Sequence, residues 1–157
     1  MTKQETRERL YLDDFHVGQR YISESYKMEA AEIKEFAGKY DPQPFHLDEE
    51  AAKHSMFGGL VASGWHTAAV SMKLLVTEGP PVVGGSIGMG GEITWLLPTR
   101  AGDTLRVECE VVEIKPSRSK PMQGTIIFRL DTLNQNNEIV QTFVGKMIVP
   151  RRPGTGG

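Results

Sequence analysis

Hydrophobic and polar positions follow two different periods in the first part of the chain. From Gln19 to Met28 they alternate with a period of two, which favours a strand. In residues 29–40 apolar side chains recur every three or four positions and charged ones take the other side, which predicts an amphipathic helix. Asp41-Pro42 ends this helix, because the residue before a proline is kept out of the α region. Asp48 is then in position to cap a short helix over residues 49–53.

The second half of the chain predicts one buried helix followed by four strands. Residues 61–77 are apolar nearly all round, which is typical of a buried helix. Strand-like segments follow, separated by short turns rich in Gly, Pro or Asn: 82–97, 104–114, 124–133 and 139–149. Short turns join antiparallel neighbours. We therefore predict an α+β fold in which a curved antiparallel sheet wraps around a long central apolar helix.

The length of 157 residues is usual for one domain. We expect this domain to span residues 14–150, between a mobile N-terminal arm at 1–13 and a flexible tail at 151–157. Eighteen basic and 20 acidic residues give a net charge of −2, so the basic face of a nucleic-acid-binding protein is not expected.

Cysteine content and hydropathy bear on the cellular compartment. Cys109 is the single cysteine, so no internal disulfide forms and a reducing, cytoplasmic location is expected. The first ten residues lack the apolar region of a secretory signal. The longest apolar stretch, 57–76, contains His66 and Lys73, and we interpret it as a buried helix rather than a membrane span.

The first candidate for chemistry is the pair Asp41 and His46, at the two ends of the segment DPQPFH. Two prolines in these six residues predict a stiff extended loop without regular structure. A carboxylate and an imidazole on one rigid loop can share a water and act as acid and base. Spacing alone favours a plainer interpretation, in which Asp41 caps a turn and His46 is an ordinary polar loop residue.

The second candidate is Ser63-Gly64, near the start of the predicted apolar helix. Backbone N–H groups are free at a helix N-terminus and the dipole is positive there. Gly64 lets a substrate oxygen approach the backbone, as an oxyanion hole requires. The alternative, favoured by this segment taken alone, is that GGLVASG merely packs a helix end tightly.

Three other kinds of site receive little support from spacing. The histidines match no compact zinc pattern, since His54 and His66 lie eight and twenty residues beyond His46, and no metal is expected. The glycine-rich segment 84–91 is not followed by Lys-Ser/Thr, so we interpret it as a bending strand rather than a phosphate loop. A basic loop contains Lys115, Arg118 and Lys120. Such a cluster is more typical of a solvated hairpin tip, and a phosphate site stays an alternative.

The segment Asp41-Pro42-Gln43-Pro44-Phe45-His46 resembles the signature of the MaoC-like family of hotdog-fold proteins, which includes (R)-specific enoyl-CoA hydratases. That signature is an Asp, a variable residue, Asn-Pro, an apolar residue and His. The continuation LDEEAA and the later segment SIGMGGEITWLLPTRAGDTL are also similar to the family. Gly64 stands where the family places a glycine whose N–H helps to bind a thioester oxygen. The resemblance covers roughly residues 14–150.

This resemblance implies a hotdog fold and the reversible hydration of a trans-2-enoyl-CoA to a 3-hydroxyacyl-CoA. Asp41 and His46 would act on the water, and the Gly64 N–H would stabilise charge on the thioester oxygen. Four neighbouring residues are expected to contact the substrate: Gln43, Phe45, Ser63 and Trp65. No cofactor is implied besides the CoA thioester, which is the substrate. The family's pairing implies a homodimer or a higher homo-oligomer, with the acyl site at the subunit interface.

Three positions depart from the family pattern. Gln43 replaces the usual Asn, and Ser63 stands where His is common. Met72 stands where some active hydratases carry a serine, and the adjacent Ser71 faces another direction on a helix. Two other functions therefore stay open: a hotdog thioesterase, which hydrolyses the thioester, and a binding or regulatory module without chemistry.

Overall fold

A computed structural model describes residues 7–154, which form one sheet around one long helix. A short 3-10 helix precedes four α-helices: Leu12–Asp14, then α1 at Ala30–Tyr40, α2 at Pro44–Leu47, α3 at Glu49–Lys53 and α4 at Gly64–Glu78. The described residues also contain six strands: β1 at Arg20–Ile22, β2 at Tyr26–Lys27, β3 at Ile87–Trp95, β4 at Thr104–Pro116, β5 at Gln123–Leu133 and β6 at Ile139–Pro150.

The sheet is antiparallel and runs in the order β1-β4-β5-β6-β3, with β2 paired to β4 after β1. In β4 the predicted alternation is confirmed, and its inward positions are buried: Leu105, Val107, Cys109 and Val111. Bulges interrupt the pairing of β3 with β6, of β4 with β5 and of β5 with β6. A bulge bends its strand and increases the local twist. The sheet therefore curves around the helix.

The long helix α4 packs one side against this sheet. Val70, Leu74 and Leu75 join a single core with inward residues of β4, β5 and β6. The predicted α+β fold, a curved antiparallel sheet wrapped around a central apolar helix, is confirmed. The helix is not buried all round, however, because Trp65 is 60% and Met72 is 47% exposed on the side away from the core. Neither α4 nor any other helix within residues 7–154 has the length and apolar character to cross a membrane.

Two predicted elements have different ends in the structure. The strand predicted over 19–28 breaks at Ser23, whose hydroxyl accepts the Val107 N–H at 2.9 Å in place of a backbone carbonyl. The long helix begins at Gly64 rather than near Val61. The Ala62 N–H donates to Thr99 O at 2.8 Å, so residues 61–63 are held in an extended conformation beside another loop.

The sequence predicted an extended loop over residues 41–46. The structure differs, because the helical turn α2 begins at Pro44. Proline has no N–H and a φ fixed near the helical value, and both properties suit the first residue of a helix. The predicted cap of α3 is confirmed: Asp48 Oδ1 accepts the N–H groups of Glu50 and Ala51 at 2.8 and 3.3 Å.

The ordered domain begins before the predicted boundary at residue 14. The Leu10 N–H donates to Pro81 O at 2.8 Å, and Leu12 is buried in the core. Residues 10–13 therefore pack against the domain, whereas the sequence predicted a mobile arm. Their apolar partners are distant in sequence, and local composition does not reveal them.

The predicted tail is also attached to the domain at its start. Arg151 and Arg152 form ion pairs with Asp13 and Asp14, at N–O distances of 3.1 and 2.7 Å. These pairs join residues 13–14 to residues 151–152 across the surface. The remainder of the predicted arm and tail, residues 1–6 and 155–157, lies outside the described residues.

Candidate active site

Asp41 and His46 meet where α1 ends. The Asp41 N–H donates to Ala37 O at 2.9 Å, and the Asp41 carbonyl accepts the Gln43 N–H at 2.8 Å. The His46 N–H then donates to Gln43 O at 3.0 Å within the first turn of α2. This tight path brings His46 Nε2 to 3.2 Å from Asp41 Oδ2, with the His46 side chain 7% and the Asp41 side chain 21% exposed.

A backbone carbonyl fixes the orientation of the His46 ring. His46 Nδ1 lies 2.7 Å from Val61 O. A carbonyl oxygen only accepts hydrogen bonds, so Nδ1 carries a hydrogen in this geometry. Nε2, the second ring nitrogen, faces Asp41 and is the atom that can exchange a proton. Phe45 packs edge-on against the ring, with centroids 4.6 Å apart.

Several groups surround the Asp41 carboxyl with opposing effects on its pKa. Burial raises the pKa, but hydrogen bonds from Ser63 and Gln43 and the adjacent His46 outweigh it, so the pKa lies below its ordinary value. The Gln43 amide donates to Asp41 Oδ1 at 2.6 Å. This glutamine, longer than the usual asparagine by one methylene, therefore reaches the carboxylate. Asp41 is ionised at neutral pH.

The N-terminus of α4 lies beside this pair. Ser63 is fully buried and caps the helix, since its Oγ accepts the Trp65 N–H at 3.3 Å. Gly64 is the first helical residue, and such a residue has no acceptor within its own helix. No acceptor among residues 7–154 takes the Gly64 N–H. A donor at the positive end of a helix dipole is thus available to a ligand oxygen.

One cavity of about 410 Å³ joins these groups. It is lined by six of the seven predicted site residues: Asp41, Gln43, Phe45, His46, Gly64 and Trp65. Ser63, the seventh, does not line the cavity: it is fully buried and hydrogen-bonds the Asp41 carboxyl. The remaining wall is mainly apolar: Phe57, Val61, Ala62, Trp95, Leu96, Leu97 and Pro98. A small polar centre in an apolar cavity is the usual form of a small-molecule site.

Sequence reasoning missed a set of buried polar side chains under this cavity. Thr67 and Thr99 line it and bond to each other at 3.0 Å between their hydroxyl oxygens. Ser71, a buried residue of α4, belongs to the same set. Its hydroxyl is bonded to Thr132 at 2.6 Å and accepts a hydrogen bond from Gln141 at 3.3 Å. The available signal was a polar residue at an inward position of a predicted strand or helix.

His66 lies outside the cavity and packs α4 against α1. Its ring stacks on Phe36 with centroids 4.7 Å apart, and its Nε2 lies 3.4 Å from Glu32 Oε1. Burial lowers the pKa of His66 despite the opposing effect of Glu32. His54 is an exposed side chain on the surface. Within the part of the chain that the structure describes, no group of three His, Cys, Asp or Glu residues could hold a metal.

Two other candidates from the sequence are also separate from the cavity. Burial raises the pKa of Cys109 to about 12, so this thiol is protonated at neutral pH and is a poor nucleophile. The basic loop connects β4 to β5 beyond Pro116, and its basic residues Lys115, Arg118 and Lys120 are not among the residues that line the cavity. It does not contribute to this cavity within one subunit.

Comparison with known proteins agrees with the fold. Residues 14–129 match the family described as the MaoC like domain. The chain therefore belongs to the MaoC-like domain family, whose sheet-and-helix architecture is the hotdog fold. The resemblance inferred from Asp41–His46 and the later Gly-Asp segment is thus confirmed.

Three relatives define the similarity further. The chain is 37% identical over 141 residues to YdeM of Bacillus subtilis, an uncharacterized protein, covering 88% of this chain and 96% of that protein. It is 31% identical over 113 residues to the 3-hydroxybutyryl-CoA dehydratase of Methylorubrum extorquens, covering 71% of this chain and 69% of that protein. The crystal structure of a MaoC-like dehydratase from Rhodospirillum rubrum is 56% identical, covers 92% of this chain and 99% of its own, and superposes with a TM-score of 0.89.

Proposed function

We propose that this protein is an acyl-CoA hydro-lyase that reversibly hydrates a trans-2-enoyl-CoA to a 3-hydroxyacyl-CoA. The observation that carries the proposal is the approach of His46 Nε2 to Asp41 Oδ2, at 3.2 Å, in a cavity that is also lined by Gly64, whose N–H has no acceptor among residues 7–154. An acid–base pair beside an oxyanion donor is the equipment that this addition requires. The name of the Methylorubrum relative, a 3-hydroxybutyryl-CoA dehydratase, supports this class of substrate.

In the proposed reaction a water molecule lies beside the pair, within hydrogen-bond reach of both Asp41 and His46. The pair takes one proton from the water as its oxygen bonds to the β carbon, and gives one proton to the α carbon. The two transfers balance, so the pair ends each turnover in its starting protonation state. Negative charge develops on the thioester oxygen during the addition, and the Gly64 N–H donates to it.

The fixed tautomer of His46 suits this role. Because Nδ1 donates to Val61 O, only Nε2 accepts and releases a proton. The Asp41 carboxylate, ionised at neutral pH, stabilises the positive charge that the imidazole acquires. We propose that these side chains act without a cofactor, with the CoA thioester as substrate, in the cytoplasm. Gln43, Phe45 and Trp65 are proposed to contact the substrate from the cavity walls.

An exposed apolar face supports the expected pairing of subunits. Trp65 and Met72 on α4 are exposed, as are Ile87, Met89 and Leu96 along or next to the edge strand β3. An edge strand presents unpaired N–H and C=O groups, and exposed apolar patches usually mark interfaces. We propose that a second copy of this chain covers the face and forms a homodimer next to the cavity.

The test is an absorbance assay of hydration with trans-2-enoyl-CoAs of several chain lengths, with free thiol measured in the same sample. Asp41→Asn and His46→Gln are compared with His54→Gln, a matched control because His54 is an exposed histidine away from the cavity. Loss of enoyl absorbance in the wild type and in the control, absent from both site variants, supports the proposal. Release of thiol would instead assign a thioesterase, and binding of acyl-CoA without turnover would assign a binding module.

A further inference from the structure

Trp95, the last residue of β3, packs its indole onto Gly64 at the start of α4. A Cβ added to Gly64 would lie only 2.7 Å from Trp95 Cε2. The Trp65 indole meets the Trp95 ring edge-on, with centroids 5.1 Å apart and planes at 84°. Both rings line the cavity that holds Asp41 and His46. The two tryptophans therefore form a corner beside Gly64.

Gln141 holds the Trp95 ring in this position. It lies directly opposite Trp95 in the pairing of β3 with β6, and it is 1% exposed. The indole Nε1–H donates to Gln141 Oε1 at 3.0 Å, and Gln141 Nε2 donates to Ser71 Oγ at 3.3 Å. An indole N–H only donates, so the oxygen of the amide must face it and the nitrogen must face Ser71.

Each end of the buried amide thus has a partner, which gives Gln141 one favourable orientation. A buried polar group left without its partner is costly, so the indole does not swing away without leaving Gln141 unpaired. Ser71 is in turn fixed by its bond to the Thr67 carbonyl at 2.7 Å and by Thr132. The network connects the cavity wall to the middle of the central helix.

We propose that Trp95, oriented by Gln141, sets the acyl-chain length that the site accepts and restricts it to short-chain acyl thioesters. This inference rests on the proposed function, since it takes the Gly64 N–H as the point where the thioester oxygen binds. A chain extending from that point meets the corner formed by the two indoles. The cavity of about 410 Å³ must also admit the end of the pantetheine arm. The Trp95 ring is held by Trp65 and by its hydrogen bond to Gln141, so it leaves little room in this cavity for a long acyl chain. In this scheme Trp95 determines specificity, and Gln141 is a positioning residue.

The test compares kcat/KM for trans-2-butenoyl-CoA and trans-2-octenoyl-CoA. Trp95→Leu is expected to raise the octenoyl-to-butenoyl ratio roughly tenfold or more, because each methylene accommodated in an apolar pocket changes kcat/KM by about that factor. Trp95→Phe, a milder change, follows in the same direction and serves if Trp95→Leu does not fold. An unchanged ratio in a folded Trp95 variant that still hydrates butenoyl-CoA overturns the inference.

Gln141→Leu separates positioning from a general structural role. We expect it to raise the same ratio in the wild-type background and to have no further effect on the ratio when Trp95→Leu is already present. An equal change of the ratio in both backgrounds would show that Gln141 does not act through Trp95. Gln123→Leu, at the far end of β5, is the matched control and should leave the ratio unchanged.

Binding of saturated ligands distinguishes failure of this inference from failure of the proposed function. Calorimetry with butanoyl-CoA and octanoyl-CoA measures the fit of the chain without any reaction. If the wild type hydrates no enoyl-CoA but Trp95→Leu still shifts affinity towards octanoyl-CoA, chain selection stands and hydration fails. If hydration occurs and neither ratio moves, hydration stands and chain selection fails. No binding of either ligand by the wild type would overturn both.

Discussion

Replacing Gly64 with alanine tests how closely the start of α4 is packed. The added Cβ would lie 2.7, 2.9 and 3.0 Å from three carbons of the Trp95 indole. Ordinary carbon–carbon contacts are about 3.5–4.0 Å, so the ring or the helix must move. The Trp95 ring cannot move aside freely, because its Nε1–H donates a hydrogen bond to Gln141.

The magnitude follows from two opposing effects. Overpacking a well-packed site costs about 1–3 kcal/mol, whereas alanine is better than glycine within a helix by up to about 1 kcal/mol. We therefore expect Gly64→Ala to lower the free energy of unfolding by about 1–2 kcal/mol, measured by urea denaturation. Displacement of the Gly64 N–H should also lower kcat/KM for hydration roughly tenfold to a hundredfold.

Gly38 provides the matched control for this substitution. It is exposed within α1, and nothing lies within 4 Å of a Cβ placed there. Gly38→Ala is therefore expected to stabilise the protein by about 0.5–1 kcal/mol through helix propensity alone. Combining Gly64→Ala with Trp95→Leu should recover part of the lost stability. A Gly64→Ala protein as stable and as active as the wild type would refute the reasoning.

Three further outcomes are expected, for the activity of the Asp41–His46 pair, for stability at low pH and for the exposed apolar face. Asp41→Asn and His46→Gln should each lower kcat for enoyl-CoA hydration at least about a hundredfold, with His54→Gln unchanged. The pKa of Asp41 is lowered in the folded state, so its carboxylate stabilises the fold above the ordinary value of 3.8, and this contribution is lost as the pH falls through the lowered pKa. The stability difference between wild type and Asp41→Asn should shrink on acidification in urea titrations, and Ser63→Ala, which removes a hydrogen bond to that carboxylate, should move this change to higher pH. Met89→Lys places a charge on the exposed edge strand and should shift the proposed dimer towards monomer in light scattering; an unchanged mass would contradict that interface.

The local hydrophobic pattern predicted most of the fold, because the positions that it marks as apolar are the ones that are buried in the structure. The alternation of β4 places Leu105 and Val107 inward, and the apolar period of residues 29–40 becomes α1 with Ile33 and Ala37 buried. The start of α4 was predicted too early. Residues 61–63 are as apolar as the helix itself, and their extended conformation depends on hydrogen bonds to Phe45 and Thr99, which local sequence does not reveal.

The candidate site was predicted in part, for a related reason. The segment Asp41–His46 contains both side chains of the proposed acid–base pair within six residues, so its spacing and its resemblance to a family were visible. Trp95 and Gln141 lie on different strands, and their joint position beside Gly64 follows from the pairing of β3 with β6. A glutamine at an inward position of a strand is a recognisable signal, but its partner is defined only by the register.

The four residues Val61–Gly64 explain why the proposed dyad and the proposed oxyanion donor occur together. Val61 supplies the carbonyl that fixes the tautomer of His46, and Ser63 hydrogen-bonds the Asp41 carboxyl while capping α4. Gly64 follows at once with the free N–H. A shift of this segment along the chain would therefore disturb the proposed base, the Asp41 carboxylate and the proposed oxyanion donor at the same time. Since one short stretch sets all three, substitutions within it should affect kcat more strongly than their cost in stability indicates, which is the behaviour of a preorganised site rather than of a tightly packed helix end.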